Sequence, residues 1–253
     1  MINIITRLSR KNSFKNKLLP SLKSQTFQNY HHVITHSSED IKDFVEPYVD
    51  KDKTTFCKVF PQRKLSNVYK GINYHQINIF DKLEDLDPRI FDEKKEQYNQ
   101  RPDPNGSRVY FSHFPFNLYH IKAESKLKPG WVIYLDDDDT LYDNISLEVL
   151  NNFATDPDTL YFYRFFMKDV GPDETALKHS LNNLPPALGT GFCGASFTFH
   201  TKYLDYTNWD EWAGADWRTC QSLWYNVKNV SLIDKIIQNI SDEPGLGVVK
   251  PND

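Results

Sequence analysis

Apolar and polar positions divide the chain into short buried strands separated by amphipathic stretches. Ile2-Asn3-Ile4-Ile5-Thr6 reads as a buried first strand, and the basic stretch from Arg7 to Asn12 reads as a loop at its carboxyl end. Phe14, Leu18, Leu19 and Leu22 then recur at helical spacing, with Pro20 expected to start or kink that helix. His31-His32-Val33-Ile34-Thr35 predicts a second strand, and Ser37-Ser38-Glu39-Asp40 behind it is a helix-start signature. Strand, helix and strand joined by short loops imply a parallel βαβ unit. Thr54–Phe60 predicts a third strand. Residues 61–105 carry mixed charge with Pro88, Pro102 and Pro104, which predicts an insertion of loops and short helices.

Order returns at Arg108-Val109-Tyr110-Phe111, a short strand. Pro115 then opens a helix that packs through Phe116, Tyr119, Ile121, Ala123 and Leu127 and is stopped by Pro129-Gly130. Trp131-Val132-Ile133-Tyr134-Leu135 has the length and ring content of a buried strand. Beyond it, Asn144–Phe153 predicts a helix and Thr159–Met167 a strand of rings. Residues 169–194 form a long loop rich in Pro and Gly, and Ala195–His200 another strand. The segment from Trp209 to Arg218 leads into a helix carrying Leu223, Trp224 and Val227. Ser231 to Asp253 is expected to form a short helix and then an irregular end. These elements predict an α/β fold: one Rossmann-like domain over residues 1–240, with a mostly parallel sheet flanked by helices and interrupted by inserted loops, and an irregular tail over 241–253.

Composition narrows the classes. The chain has 253 residues, a net charge of −4 and a pI of about 6.1, so no global basic field draws it to nucleic acid. Three widely spaced cysteines, Cys57, Cys193 and Cys220, give no disulfide framework and point to a reducing compartment, the cytoplasm. Arg7, Arg10, Lys11, Lys15 and Lys17 interrupt every apolar run near the N-terminus, so no secretory leader is expected. No stretch approaches the ~20 apolar residues of a membrane span.

The chemistry concentrates at Asp136-Asp137-Asp138-Asp139, four carboxylates directly behind the Trp131–Leu135 strand. Four adjacent acids repel one another and cannot be buried unpaired. At the carboxyl end of a strand in an open α/β sheet they describe a cation site facing a crevice. Hard divalent cations such as Mg²⁺ and Mn²⁺ take carboxylate oxygen and share it with substrate phosphates. A plain acidic surface turn is the simpler alternative, but a solvated acid run seldom follows directly on a core strand.

Two families place acids in this pattern. Asp136-x-Asp138-x-Thr140-Leu141 resembles the first motif of haloacid-dehalogenase-type phosphatases, whose first Asp is a nucleophile. Leu135-Asp136-Asp137-Asp138-Asp139 resembles the Asp-x-Asp motif of nucleotide-sugar glycosyltransferases of GT-A fold, whose acids hold the metal that bridges the donor diphosphate. The rest of the chain favours the second. Ser21-Leu22-Lys23-Ser24-Gln25-Thr26-Phe27-Gln28-Asn29-Tyr30, between a first helix and a second strand, is similar to the opening of family 2-type glycosyltransferases, in which these residues are largely structural. Gly214-Ala215-Asp216-Trp217-Arg218 resembles the motif in which an acid before a helix deprotonates the acceptor, with Ala215 in place of its first acid. One departure is plain. The Asp that usually follows the second strand and holds the nucleotide base is missing from Thr35-His36-Ser37-Ser38-Glu39-Asp40, which leaves Ser38 or Asp40 for that role.

The resemblance implies metal-dependent, inverting transfer of a sugar from a nucleoside diphosphate sugar, a UDP-hexose, to a glycan or other hydroxyl acceptor, as in polysaccharide biosynthesis. Residues 1–140 would form the nucleotide-binding half and residues 141–240 the acceptor side. Asp138 is the first expected ligand of Mn²⁺ or Mg²⁺, with Asp136 and Asp139 beside it. Thr6, Arg7, Ser38, Arg108, Asn117, Asp136 and Asp137 are the expected donor contacts, and Asp216 is the expected base. Trp209, Trp212 and Trp217 are apt for stacking on a sugar ring. A phosphatase using Asp136 and Asp138, or a sugar-nucleotide-binding domain without turnover, are the alternatives.

Overall fold

The computed structural model describes residues 1–36, 38–59, 119–167, 171–172, 196–207, 209 and 215–241. The expected helices and loops of residues 61–105, the Arg108–Phe111 strand, and Arg108 and Asn117 themselves lie outside the described residues.

The sheet starts from β1 (Ile2–Leu8), whose side chains are buried except Arg7. It is longer than the sequence suggests, so Arg7 stands on the strand rather than in the loop behind it. Parallel to β1 lie β2 (Tyr30–His36) on one side and β4 (Trp131–Tyr134) on the other. Outside β2 comes β3 (Thr54–Lys58), also parallel. The described strands continue as β5 (Thr140–Leu141), β6 (Thr159–Met167), β7 (Gly171–Pro172), β8 (Phe197–His200) and β9 (Asn229–Ile240). They make one mixed sheet in the order β3-β2-β1-β4-β8-β6-β9-β5, with β7 paired to β6. β8 runs antiparallel to both β4 and β6.

The chain leaves β1 toward β2 on one side and reaches β4 on the other. Strand order therefore reverses between β1 and β4, the position at which open α/β sheets place their ligands. Successive residues of a strand face opposite sides, so each strand feeds two cores. Ile2, Ile4, Trp131, Ile133 and Leu135 pack on one face with Phe14, Leu18 and Leu22; Ile5, Val132 and Tyr134 pack on the other with Phe162, Phe197 and Phe199.

The first helical stretch is continuous but changes pitch, from α1 (Lys11–Ser13) through a π turn (Phe14–Leu18) to α2 (Leu19–Lys23). The Leu19 N–H reaches back to the Phe14 carbonyl, and Pro20, which has no N–H to donate, follows at the start of α2. α3 (Glu39–Val45) begins where the sequence indicated: Ser38 Oγ accepts from the Ile41 N–H at 3.3 Å, and Glu39 and Asp40 occupy the first turn. Behind the second core face lies α4 (Tyr119–Glu124). α5 (Ser146–Phe153) follows the acids. Gln25 reaches it by donating to the Asp143 carbonyl at 2.6 Å and accepting from the Leu147 N–H at 3.0 Å, while the Thr26 N–H donates to the Asn144 carbonyl at 2.8 Å. Gln25 and Thr26 are thus structural, as the resemblance implied. α6 (Ala215–Asn226) carries Asp216 in its first turn.

The short helix expected from Ser231 is instead part of β9, twelve residues long and parallel to β6. Ile233, Ile236, Ile237 and Ile240 have the spacing of a helix face, but the pairing with β6 shifts register at Tyr163–Phe165. That irregularity changes the phase of the strand, so Ile237 and Gln238 are both buried.

Gly130 turns the chain into β4 with φ 153°, and a Cβ there would run into the Met1 carbonyl oxygen, which accepts from the Trp131 N–H at 3.0 Å. Among the described residues no helix is long and apolar enough to cross a membrane.

Candidate functional site

The four acids form a turn, with the Asp139 N–H donating to the Asp136 carbonyl at 3.1 Å. This turn fans their side chains apart toward Arg7, the Ser9–Arg10 loop and the Ser241 N–H. Asp136 takes both nitrogens of an Arg7 fork, Nε at 2.9 Å on Oδ1 and Nη2 on Oδ2. Asp137 turns inward and is fully buried. Its Oδ2 accepts from the Ser9 N–H at 2.6 Å, the Ser9 hydroxyl at 3.0 Å and the Arg10 N–H at 2.5 Å. Its Oδ1 accepts from Arg10 Nε at 2.7 Å. The same guanidinium reaches Asp138 Oδ1 at 2.5 Å. Asp139 accepts from the Ser241 N–H at 2.7 Å, which draws the end of β9 to the site.

Two guanidinium charges therefore face four carboxyl groups, and the shortfall falls on the last two. Burial, reinforced by Asp136 and Asp137 and opposed by Arg10, pushes Asp138 up to about 6. Burial and the neighbouring Asp136 and Asp138 hold Asp139 well above the ordinary carboxylate range. Burial raises Asp136 too, but the charge and bonds of Arg7 outweigh it and leave Asp136 low. Arg7 in turn is raised: burial disfavours its charge, yet Asp136, Asp137 and Asp216 together more than offset that cost. Asp216, at the start of α6, thus lies within electrostatic reach of the Arg7–Asp136 pair.

Among the described residues no group of three or more His, Cys, Asp or Glu side chains is arranged to hold a metal ion by itself. The fanned turn explains this, since Arg7 and Arg10 occupy Asp136, Asp137 and one oxygen of Asp138, and Asp139 turns to the Ser241 N–H. Asp138 and Asp139, once deprotonated, are the two carboxylates that could hold Mg²⁺ or Mn²⁺ completed by substrate phosphates.

The structure gathers Arg7, Asp136, Asp137, Asp138 and Asp139 into one cluster at the carboxyl ends of β1 and β4, which Asp216 reaches electrostatically through Arg7. Thr6 lies beneath it with its hydroxyl turned into the sheet, donating to the Leu135 carbonyl at 2.7 Å and paired with His32 Nε2 at 2.9 Å. Ser38 stands at the end of β2 as the cap of α3. Trp209, expected to stack on a sugar, is buried at 4% exposure with its Nε1 donating to Glu124 at 3.0 Å, so its ring is core. Trp212 and the Trp217 side chain lie outside the described residues. The sequence reading passed over Ser9 and Arg10, although a basic loop after β1 must adjoin the loop after β4 once the two strands pair. It also passed over His120 and Glu124, which carry no motif. His120 is buried 4.1 Å from the Trp209 ring and 4.7 Å from Tyr134, its Nδ1 has no hydrogen-bond partner, and burial and then Arg7 keep it neutral.

No family model matches the chain, and no curated protein sequence matches it. Solved structures do. S. aureus TarS 1–349 in complex with UDP-GlcNAc superposes with a TM-score of 0.58 at 13% identity, over 97% of this chain and 60% of that one. The S. aureus TarS structure gives a TM-score of 0.59 at 12% identity, over 95% of this chain and 36% of that one. The fold is GT-A. The chain spans about three-fifths of TarS 1–349 and little more than a third of the longer TarS chain. Within the GT-A frame, the acid turn stands at the carboxyl end of β4, and Asp216 at the start of α6 acts on Arg7 of the neighbouring β1.

Proposed function

We propose that this chain is a hexosyltransferase that moves a sugar from a nucleoside diphosphate sugar, a UDP-hexose, to a hydroxyl of a glycan acceptor, with inversion. The observation that carries this reading is the placement of under-compensated Asp138 and Asp139 at the carboxyl end of β4, with Asp216 within electrostatic reach of the adjoining Arg7–Asp136 pair. The GT-A fold, shared with a protein solved with UDP-GlcNAc and with UDP, supports the donor class.

Asp138 and Asp139 would hold Mn²⁺ or Mg²⁺, which when bound neutralises charge on the leaving diphosphate. Arg7 and Asp136 line the donor side of the crevice, and Arg10 with Asp137 holds the acid turn in shape. Thr6 and Ser38 fix the strand ends that would frame the nucleotide, and Arg108 and Asn117 stay donor contacts by resemblance alone. Asp216 takes the proton of the acceptor hydroxyl as that oxygen attacks the anomeric carbon. The new C–O bond forms as the bond to the diphosphate oxygen breaks, and the electron pair leaves with the diphosphate. Both oxygens of Asp136 are engaged by Arg7, which argues against a phosphatase nucleophile at that position.

The test is incubation with a set of nucleoside diphosphate hexoses, candidate glycans and Mn²⁺, reading nucleoside diphosphate and the lengthened glycan together. Metal-dependent formation of both in equal amounts is expected. Donor binding without turnover would leave a sugar-nucleotide-binding domain, and hydrolysis of a generic phosphate ester would return the phosphatase.

A further inference from the structure

Glu124, at the end of α4, joins three parts of the fold through one carboxyl group. Its Oε1 accepts from the Tyr134 hydroxyl of β4 at 2.8 Å and from Trp209 Nε1 at 3.0 Å. Its Oε2 lies 2.8 Å from Thr207 Oγ1. Trp209 Nε1 is also 3.0 Å from the Tyr134 hydroxyl, which closes a ring of contacts.

The hydrogens in this ring can be counted. Thr207 has one hydroxyl hydrogen but two acceptors at 2.8 Å, Glu124 Oε2 and the Leu204 carbonyl. A neutral carboxylic acid resolves the conflict. Glu124 then donates from Oε2 to Thr207 Oγ1, Thr207 donates to Leu204, and Tyr134 and Trp209 donate to Oε1. With a carboxylate, one of the two Thr207 contacts lacks its hydrogen.

Burial is the second observation, and it pushes the Glu124 carboxyl up to about 7 against the pull of its three hydrogen-bond partners. The titratable groups around it are Tyr134 from β4 and His120 from α4 itself. The 207–209 segment contributes Thr207 and Trp209, which carry no charge. Arg7 of β1 and Asp136 act on His120 rather than on Glu124.

The third observation is what the clamp holds. Trp209 and Ala215, the first residue of α6, are both buried in one cluster with Tyr134, and Asp216 follows directly. We propose that Glu124 is a positioning residue: as a neutral carboxylic acid it clamps Thr207 and Trp209 to α4 and β4 and so holds the start of α6, with Asp216, against the acid crevice. The part concerning Asp216 rests on the transferase reading, whereas the clamp does not.

The test compares the native chain with Glu124→Gln and Glu124→Leu. Glutamine keeps the shape of the neutral acid, with an amide to donate to Thr207 and an oxygen to accept from Tyr134 and Trp209. The first readout is thermal unfolding from about pH 4.5 to about pH 8. A carboxyl raised in the folded state stabilises the fold at low pH. That contribution declines once the unfolded chain ionises near 4.5 and is gone above about 7. The native chain should therefore lose melting temperature relative to Glu124→Gln across that window and stay lower by a constant amount above it. Equal slopes in the two proteins would overturn the protonated clamp.

The second readout is transfer. Glu124→Gln should keep the native kcat and acceptor KM at pH 6 and hold them at pH 8.5, where the acceptor KM of the native enzyme rises several-fold. Glu124→Leu should raise acceptor KM at both pH values by about ten-fold or more, with the melting shift given by nucleoside diphosphate and Mn²⁺ unchanged. An unchanged acceptor KM in Glu124→Leu would overturn the positioning role. If that variant does not fold, Thr207→Val removes the other end of the bond and is read in the same way. Failure of transfer in every protein, with the melting result as expected, would overturn the transferase reading and the positioning role with it, leaving the clamp standing.

Discussion

Asp216→Asn should lower the transfer rate by about a hundred- to ten-thousand-fold while leaving donor binding intact, because that is the usual contribution of a general base. The two side chains have nearly the same shape, so the start of α6 keeps its packing through Ala215 and Cys220. What is lost is the ability to accept a proton from the acceptor hydroxyl. Asp216 is not among the acids that would hold the cation, so the melting shift given by a nucleoside diphosphate with Mn²⁺ should match that of the native chain. Transfer at the native rate in this variant would move the base to Asp210 or Glu211 in the same segment, or point to a mechanism that retains configuration.

Asp137→Ala should cost about 3 kcal/mol of stability, the lower end of what breaking a buried ion pair costs. Asp137 is the most enclosed of the four acids, and its oxygens satisfy two backbone N–H groups, a hydroxyl and a guanidinium. Truncation strands the N–H groups of Ser9 and Arg10. The cost stays at the lower end because Arg10 retains Asp138. Urea unfolding should show the loss as a lower midpoint at unchanged slope. By contrast, the Asp136 side chain is 31% exposed, and its removal should cost clearly less. Equal losses from the two substitutions would contradict the division of labour within the turn.

Much of the fold was legible because single strands buried on both faces read as unbroken apolar runs: β1, β2, β4 and β6 stand where the pattern put them. Local chemistry was legible too, in the Ser38 cap and in the Gln25–Thr26 link to α5. β9 was not, because its register shift gives its isoleucines the period of a helix, and a sequence window cannot see the partner strand that imposes the shift. Within the candidate site, the acids and Asp216 were legible as candidates by type and by their place next to a strand or a helix start. Arg10 did not, since it acts on acids 127 residues away and only the pairing of β1 with β4 brings them together. Trp209 was misread because a tryptophan beside an acid looks the same whether its ring faces a sugar or the core. Its burial is decided by Glu124 and Tyr134, which lie 85 and 75 residues from it in sequence.

The most direct test of the central claim is a thermal-shift series with nucleoside diphosphates and their sugars, with and without Mn²⁺, on the native chain and on Asp138→Ala. A ligand that binds only the folded state raises the melting temperature by mass action, so binding can be read without knowing the acceptor. A Mn²⁺-dependent rise with one nucleoside diphosphate, strongest with uridine and absent in Asp138→Ala, is the predicted result. No rise with any of them, or an equal rise without metal and in Asp138→Ala, would contradict the assignment of the acid turn as a donor and cation site.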